Sequence, residues 1–221
     1  MARTTALETT KIGPVGAPGA VPALYRLCRE RVRRMLERYF EFRVEGTEHV
    51  PADGPFIVAA NHHNYLDGIV LAAAVPRPIA FLVMPRVWKA TPLHPLLHRH
   101  LGSILLNLSR PDVGALRRAL RVLADGRPVG IFPEGPFSVR GRLEPGLPGV
   151  GLLALRSSVP VVPAAIRGTY AALVGRRAYI PRRHPLAVSF GPARRFARGQ
   201  GRAARADVTQ RIMDDIAGLL C

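Results

Sequence analysis

From about Phe42 onward the chain alternates short apolar runs with stretches of helical spacing, and no other feature limits the fold so strongly. "FRVEGTEHV" and "PFIVAA" read as strands, and Gly68 to Val75 reads as a short helix stopped by Pro76. "IAFLVM" and "SILLNL" are further strands. "DVGALRRALRVLADG" has the amphipathic period of a helix and ends at Gly126. "PVGIFP" returns to strand, "VGLLALRSS" to helix, and "VPVVPAAI" and "PLAVSF" to strand, before "ARADVTQRIMDDIAGLL" closes as an amphipathic helix. Strands that are apolar throughout need cover on both faces. Separated by helices, they predict an α/β domain with a largely parallel central sheet flanked by helices. Pro160 and Pro163 confine their strand to an edge or a bulge, because proline has no N–H for the ladder. A site is expected at the strand ends.

Ahead of this domain, placed at residues 43–221, residues 1–20 read as a flexible leader and residues 21–42 as a basic amphipathic helix. Leu24, Leu27, Cys28, Val32, Met35, Leu36 and Tyr39 recur at helical spacing, with Arg26, Arg29, Arg33, Arg34 and Arg38 mostly between them. Such a helix suits an anionic membrane surface or packs its apolar face on the domain core, and both hold if it bridges the two. The balance of 32 Lys+Arg against 15 Asp+Glu, with a formal charge of +17, calls for an anionic partner. Nucleic acid is disfavoured: aromatics are 6%, and no helix-turn-helix, RNP or zinc-finger pattern is present. Cys28 and Cys221 supply no disulfide framework. The first residues lack the apolar core of a secretory signal, and no run approaches the ~20 apolar residues of a spanning helix. The expected location is cytoplasmic, peripheral on the inner face of the cell membrane.

The chemistry is concentrated in "FIVAANHHNYLDGIVLAAAV". On a continuous helix His62 and Asp67 would point about 140° apart. They meet if residues 62–65 form a loop and the helix begins near Leu66. Asp67 then lies in a first turn, where free N–H groups favour a carboxylate, and it can accept a bond from one imidazole nitrogen. The other nitrogen is left as a base: two members of a triad without a protein nucleophile. The competing reading is an ordinary helix start, with Asn64 as N-cap and Asp67 three residues on. His63 should point away from its neighbour's face. A zinc site built from His62, His63, His94, His98 and His100 lacks the glutamate or cysteine of familiar ligand sets, and no metal is expected.

"NHHNYLD", "GSILLNLSR", "FPEGPFS" and "VPVVPAAI" stand in the order of four motif blocks. With them the chain resembles the glycerolipid acyltransferases, including the bacterial 1-acylglycerol-3-phosphate acyltransferases, from about Val44 to Ala193. The resemblance implies transfer of a fatty acyl group from acyl-CoA or acyl carrier protein to a lysophospholipid hydroxyl, most of all 1-acylglycerol-3-phosphate, in phospholipid synthesis. It implies His62 as general base, Asp67 as the group that fixes its tautomer, and Arg110, Glu134 and Gly135 as substrate-binding residues. No cofactor is implied beyond the acyl donor. The family's third block commonly reads Phe-Pro-Glu-Gly-Thr-Arg-Ser, whereas here Pro136 and Phe137 follow Gly135, and Glu144 stands where a basic residue is common. Either Arg140 and Arg142 restore the lost charge, or the acceptor is a less anionic lipid. Arg167, past the fourth block, is a further candidate phosphate contact. The remaining alternatives are a degenerate fold of this family that only binds lipid, prompted by Pro136 and Phe137, and a nucleic-acid-binding protein, prompted by the charge.

Overall fold

A computed structural model describes residues 23–85, 102–106, 112–174 and 180–221. Helix α1 (Ala23–Phe40) leads into β1 (Arg43–Glu45), a single 3-10 turn at Thr47–His49, and β2 (Ile57–Ala60). Helix α2 (Leu66–Ala74), β3 (Ala80–Val83), β4 (Ile104–Leu105), α3 (Val113–Ala124) and β5 (Val129–Ile131) follow. The chain ends with α4 (Gly149–Ser157), β6 (Val161–Arg167), α5 (Thr169–Leu173), β7 (Ala187–Phe190) and α6 (Arg202–Leu220). One seven-stranded sheet runs β1-β7-β6-β2-β5-β3-β4. Every neighbouring pair is parallel except β6 with β7. The predicted class therefore holds: α/β, mostly parallel, with helices on both faces.

The sheet divides the core in two. Phe56, Val58 and Ala60 pack toward α1 and α2, while Ile57 and Ala59 pack toward α3, α4 and α6. All of β2 is buried, which explains why its sequence is apolar without alternation. Helix α2, which follows β2, and helix α4, which follows β5, lie on opposite faces. The chain thus parts to the two sides at the adjacent carboxyl ends of β2 and β5, leaving the crevice where open α/β sheets bind ligands.

Three local expectations change or narrow. The strand read through "FRVEGTEHV" stops at Glu45, because Gly46 turns the backbone to φ 70° against β7. A Cβ there would lie 2.1 Å from the Phe190 carbonyl oxygen, so only glycine fits. Of the edge or bulge that its prolines allowed, strand β6 takes the bulge, because it lies inside the sheet between β7 and β2. Its proline is tolerated by an irregularity: Ala164 pairs with Phe190, but Val161 bridges to Arg194, a shift of one residue. The Pro163 carbonyl, which accepts from Gly191 N at 2.9 Å, faces this shift, so the missing N–H falls where the ladder is already broken.

The third concerns α1. Leu36 and Phe40 enter the core beside α2, with Val32 packed against it. Burying Leu36 alone contributes ~1.5–3 kcal/mol. Arg29, one of the arginines between the apolar positions, donates to the Val75 carbonyl at 2.9 Å and caps the end of α2. Leu24, Leu27, Met35 and Tyr39 remain exposed. The apolar positions of α1 thus split between a docked stripe and an open one. Among the described residues no helix is long and apolar enough to cross a membrane.

Candidate active site

Where β2 ends, Asn61 extends the sheet with its side chain. Its Oδ1 accepts from Ile166 N at 2.7 Å and its Nδ2 donates to Ile166 O at 2.9 Å, as a backbone unit would. The main chain can then leave the sheet while still anchored to β6. His62 is held on both sides by the segment after β5: its N–H donates to Glu134 Oε1 at 2.7 Å, and its carbonyl accepts from Ser138 N at 2.8 Å. Asn64 turns the chain into α2, accepting from Leu66 N at 2.9 Å and donating to the Thr169 carbonyl at 2.9 Å. The loop and the helix start near Leu66 are those the spacing predicts.

His62 Nδ1 lies 2.9 Å from Asp67 Oδ2. The same oxygen accepts the N–H of His63 at 2.6 Å and of Asn64 at 2.7 Å. The bond to Asn64 is the reciprocal half of a capping box. The contact that the first reading of the spacing requires and the capping bond of the second are therefore both present, on one oxygen atom. Asp67 is fully buried, and its Oδ1 has no hydrogen-bond partner among the described residues. With Nδ1–H donating to the carboxylate, His62 presents Nε2 as its free lone pair. Phe132 stacks on the imidazole at 3.8 Å between centroids, and Phe137 meets it edge-on at 4.6 Å. Phe137, the departure in the third block, is thus part of the apolar wall around the histidine.

Glu134 is 4% exposed and points inward. Its second oxygen accepts from Glu144 N at 2.7 Å, so both oxygens are occupied by backbone donors. Burial raises its pKa, and the two backbone N–H groups partly offset that rise. The turn from Phe132 to Gly135 closes through Gly135 N to Phe132 O at 3.0 Å, with Gly135 at φ 79°. Beyond it, Arg140 Nε and Arg142 Nε approach Glu144 Oε1 at 3.6 and 3.9 Å, both side chains largely in solvent. A chain of contacts thus joins the backbone of His62, through Glu134 and Glu144, to two open guanidinium groups.

The remaining candidates divide. Arg167 does not face the site as a free cation: it donates to Ser189 Oγ at 2.8 Å and to the Leu219 carbonyl. Arg110 lies outside the described residues, as do His94, His98 and His100. His63 points to Tyr170, with centroids 5.8 Å apart, and neither ring nitrogen has a partner among the described residues. Burial lowers its pKa. Asn61, Phe132 and Ser138 were not singled out from the sequence. Asn61 had a signal, an amide directly after a buried apolar run; the others become neighbours of His62 only through strand order.

The model of the acyltransferase family matches residues 41–167, more than half of the chain and the whole stretch from Asn61 to Arg167. The chain belongs to the acyltransferase family and is an O-acyltransferase. It is similar to the 1-acyl-sn-glycerol-3-phosphate acyltransferase of Bacillus subtilis, 24% identical over 66% of this chain and 72% of that protein. The chloroplast 1-acyl-sn-glycerol-3-phosphate acyltransferase of Brassica napus is 28% identical over 59% of this chain, and the match spans only 38% of that protein. The crystal structure of the 1-acyl-sn-glycerophosphate acyltransferase of Thermotoga maritima superposes with a TM-score of 0.71 at 24% identity, covering 89% of this chain and 81% of that one. That likeness establishes the fold.

Proposed function

We propose that the protein transfers a fatty acyl group from acyl-CoA or acyl carrier protein to a hydroxyl of a lysophospholipid, 1-acylglycerol-3-phosphate most of all, in phospholipid synthesis. The observation that carries this reading is the 2.9 Å contact between His62 Nδ1 and a fully buried Asp67. His62 Nε2 takes the proton of the acceptor hydroxyl as its oxygen attacks the thioester carbonyl. Asp67 holds the tautomer and stabilises the imidazolium as it forms. The C–O bond forms, the C–S bond breaks, and the imidazolium returns the proton to the departing sulfur. The acceptor supplies the nucleophile, so no catalytic serine or cysteine is required. Glu134 and Gly135 act by positioning, through the turn that holds the backbone of His62. Arg140, Arg142 and Arg110 are the cations for the headgroup phosphate.

A second reading of the acceptor follows from Phe137. With an aromatic edge against His62, the nearest wall of the site offers no charge, which favours a less anionic lipid. The exposed Leu24, Leu27, Met35 and Tyr39 on α1, together with the net positive charge, support a peripheral position on an anionic membrane, at the inner face of the cell membrane.

The test is thiol release from acyl-CoA in anionic vesicles, with lysophosphatidate, lysophosphatidylcholine, lysophosphatidylglycerol and glycerol-3-phosphate as acceptors, repeated with acyl carrier protein as donor. Release should require one acceptor and fall by about 10²–10⁴-fold in both His62→Ala and Asp67→Asn, with the fold retained. Full turnover in either variant would remove the dyad from the mechanism. A preference for an uncharged or zwitterionic headgroup would favour the second reading.

A further inference from the structure

On the sheet face opposite α1, a groove of about 730 Å³ runs between α3 and α4. Val113, Leu116 and Leu120 of α3 and Leu152 of α4 form apolar walls, with Pro55 and Val159 toward the start of the strands. Three arginines from three separate segments border it: Arg117 of α3, Arg156 of α4, and Arg198 ahead of α6. Arg156 and Arg198 also line an adjoining hollow with Gly199 and Gln200. None of the three has a hydrogen-bond or ion-pair partner among the described residues, unlike Arg118, which bonds to the Leu105 carbonyl, and Arg194, which is paired with Asp215. The size is that of a small-molecule site. Unpaired guanidinium groups beside an apolar trough suit a ligand that joins several phosphates to a long, weakly polar stem.

Both helices start at the active-site end. Helix α3 follows β4, and α4 follows the loop that Leu147 N pins to the Pro133 carbonyl at 2.7 Å, one residue before Glu134. The twelve residues of α3 span ~18 Å from that end toward the opposite one. We propose that this groove binds the coenzyme A portion of an acyl-CoA donor. The nucleotide phosphates contact Arg117, Arg156 and Arg198, and the pantetheine arm runs along the groove toward His62. The assignment rests on the acyl-transfer reading for the direction of the arm, but the phosphate site does not depend on turnover.

Coenzyme A itself is the probe, titrated by calorimetry into the full chain, its His62→Ala variant, and the triple variant Arg117→Ala/Arg156→Ala/Arg198→Ala. The triple variant should bind at least tenfold more weakly while its thermal midpoint is kept. His62→Ala should bind as the unsubstituted protein does, which separates this site from the catalytic reading. A control lacking three other charges, Arg26→Ala/Arg34→Ala/Arg38→Ala, should also bind normally. In turnover, the triple variant should raise KM for acyl-CoA with kcat retained and leave KM for acyl-pantetheine, which lacks the nucleotide, unchanged. Equal coenzyme A affinity in the triple variant and the unsubstituted protein, or no affinity in either, would overturn the assignment. Acyl carrier protein binding that only the triple variant loses would give the groove to an acidic protein instead.

Discussion

Asp67 gathers three donors on one oxygen, two of them backbone N–H groups and the third the ring of His62. Glu134 does the converse, using its two oxygens to hold two distant backbone segments. Glu134→Gln keeps the shape but sets an amide donor against a backbone N–H. It should cost roughly 1–3 kcal/mol in urea unfolding and lower turnover without removing either member of the dyad. If stability and rate both survive the change, Glu134 is not a strut. His63 supplies the pH test. Burial lowers its folded pKa below the ordinary 6.5, so the unfolded chain binds the proton more readily. Its contribution to stability is present above 6.5 and is lost as pH falls through the lowered folded value. Between pH 7.5 and 5 the protein should lose stability relative to His63→Gln; parallel unfolding midpoints across that range would contradict the assignment.

At the scale of elements, a helix start was legible where a local capping residue marks it. Asp112 was part of the run read as α3, and it is the N-cap: its Oδ1 accepts from Ala115 N at 2.8 Å, and Arg118 approaches at 3.6 Å. Asp112→Ala should cost about 1 kcal/mol of stability, read as a lower denaturation midpoint. No change would mean that packing of Ala115, Ala119, Val122 and Leu123 alone holds the helix. The start of α2 was legible for the same reason, since Asn64 and Asp67 carry their capping partners within a few residues. The place of β6 was not. Pro163 argued for an edge or a bulge; the strand became internal because β2 covers one side and the register shift opposite Arg194 removes the need for the missing N–H.

For the whole molecule, the sheet separates two kinds of surface. Helix α1 shows an open apolar stripe on one side, and the arginine-bordered groove lies on the other. If α1 meets an anionic bilayer, flotation with vesicles should weaken as salt rises, because surface charge is screened within about 10 Å at 0.1 M. Leu24→Ser/Leu27→Ser/Met35→Ser should reduce vesicle binding several-fold at every salt concentration. The exposed side chains carry no core packing, so the thermal midpoint should hold. Binding that is insensitive to both changes would place the membrane contact elsewhere.

Sequence alone determined the α/β alternation, and it narrowed the stretch from His62 to Asp67 to a loop that closes a dyad or an ordinary capped helix start. Each depends on periodicity, capping or residue type within one short stretch, where the physics needs no distant partner. Tertiary structure decided what surrounds the dyad. Glu134 reaches the His62 N–H across 72 residues, and Asn61 reaches Ile166 across 105. Arg167, a candidate phosphate contact from its place past the fourth block, donates to Ser189 and Leu219. Those outcomes follow from the order of strands in the sheet, which sets β2 between β5 and β6, and no local pattern records which strand will be a neighbour.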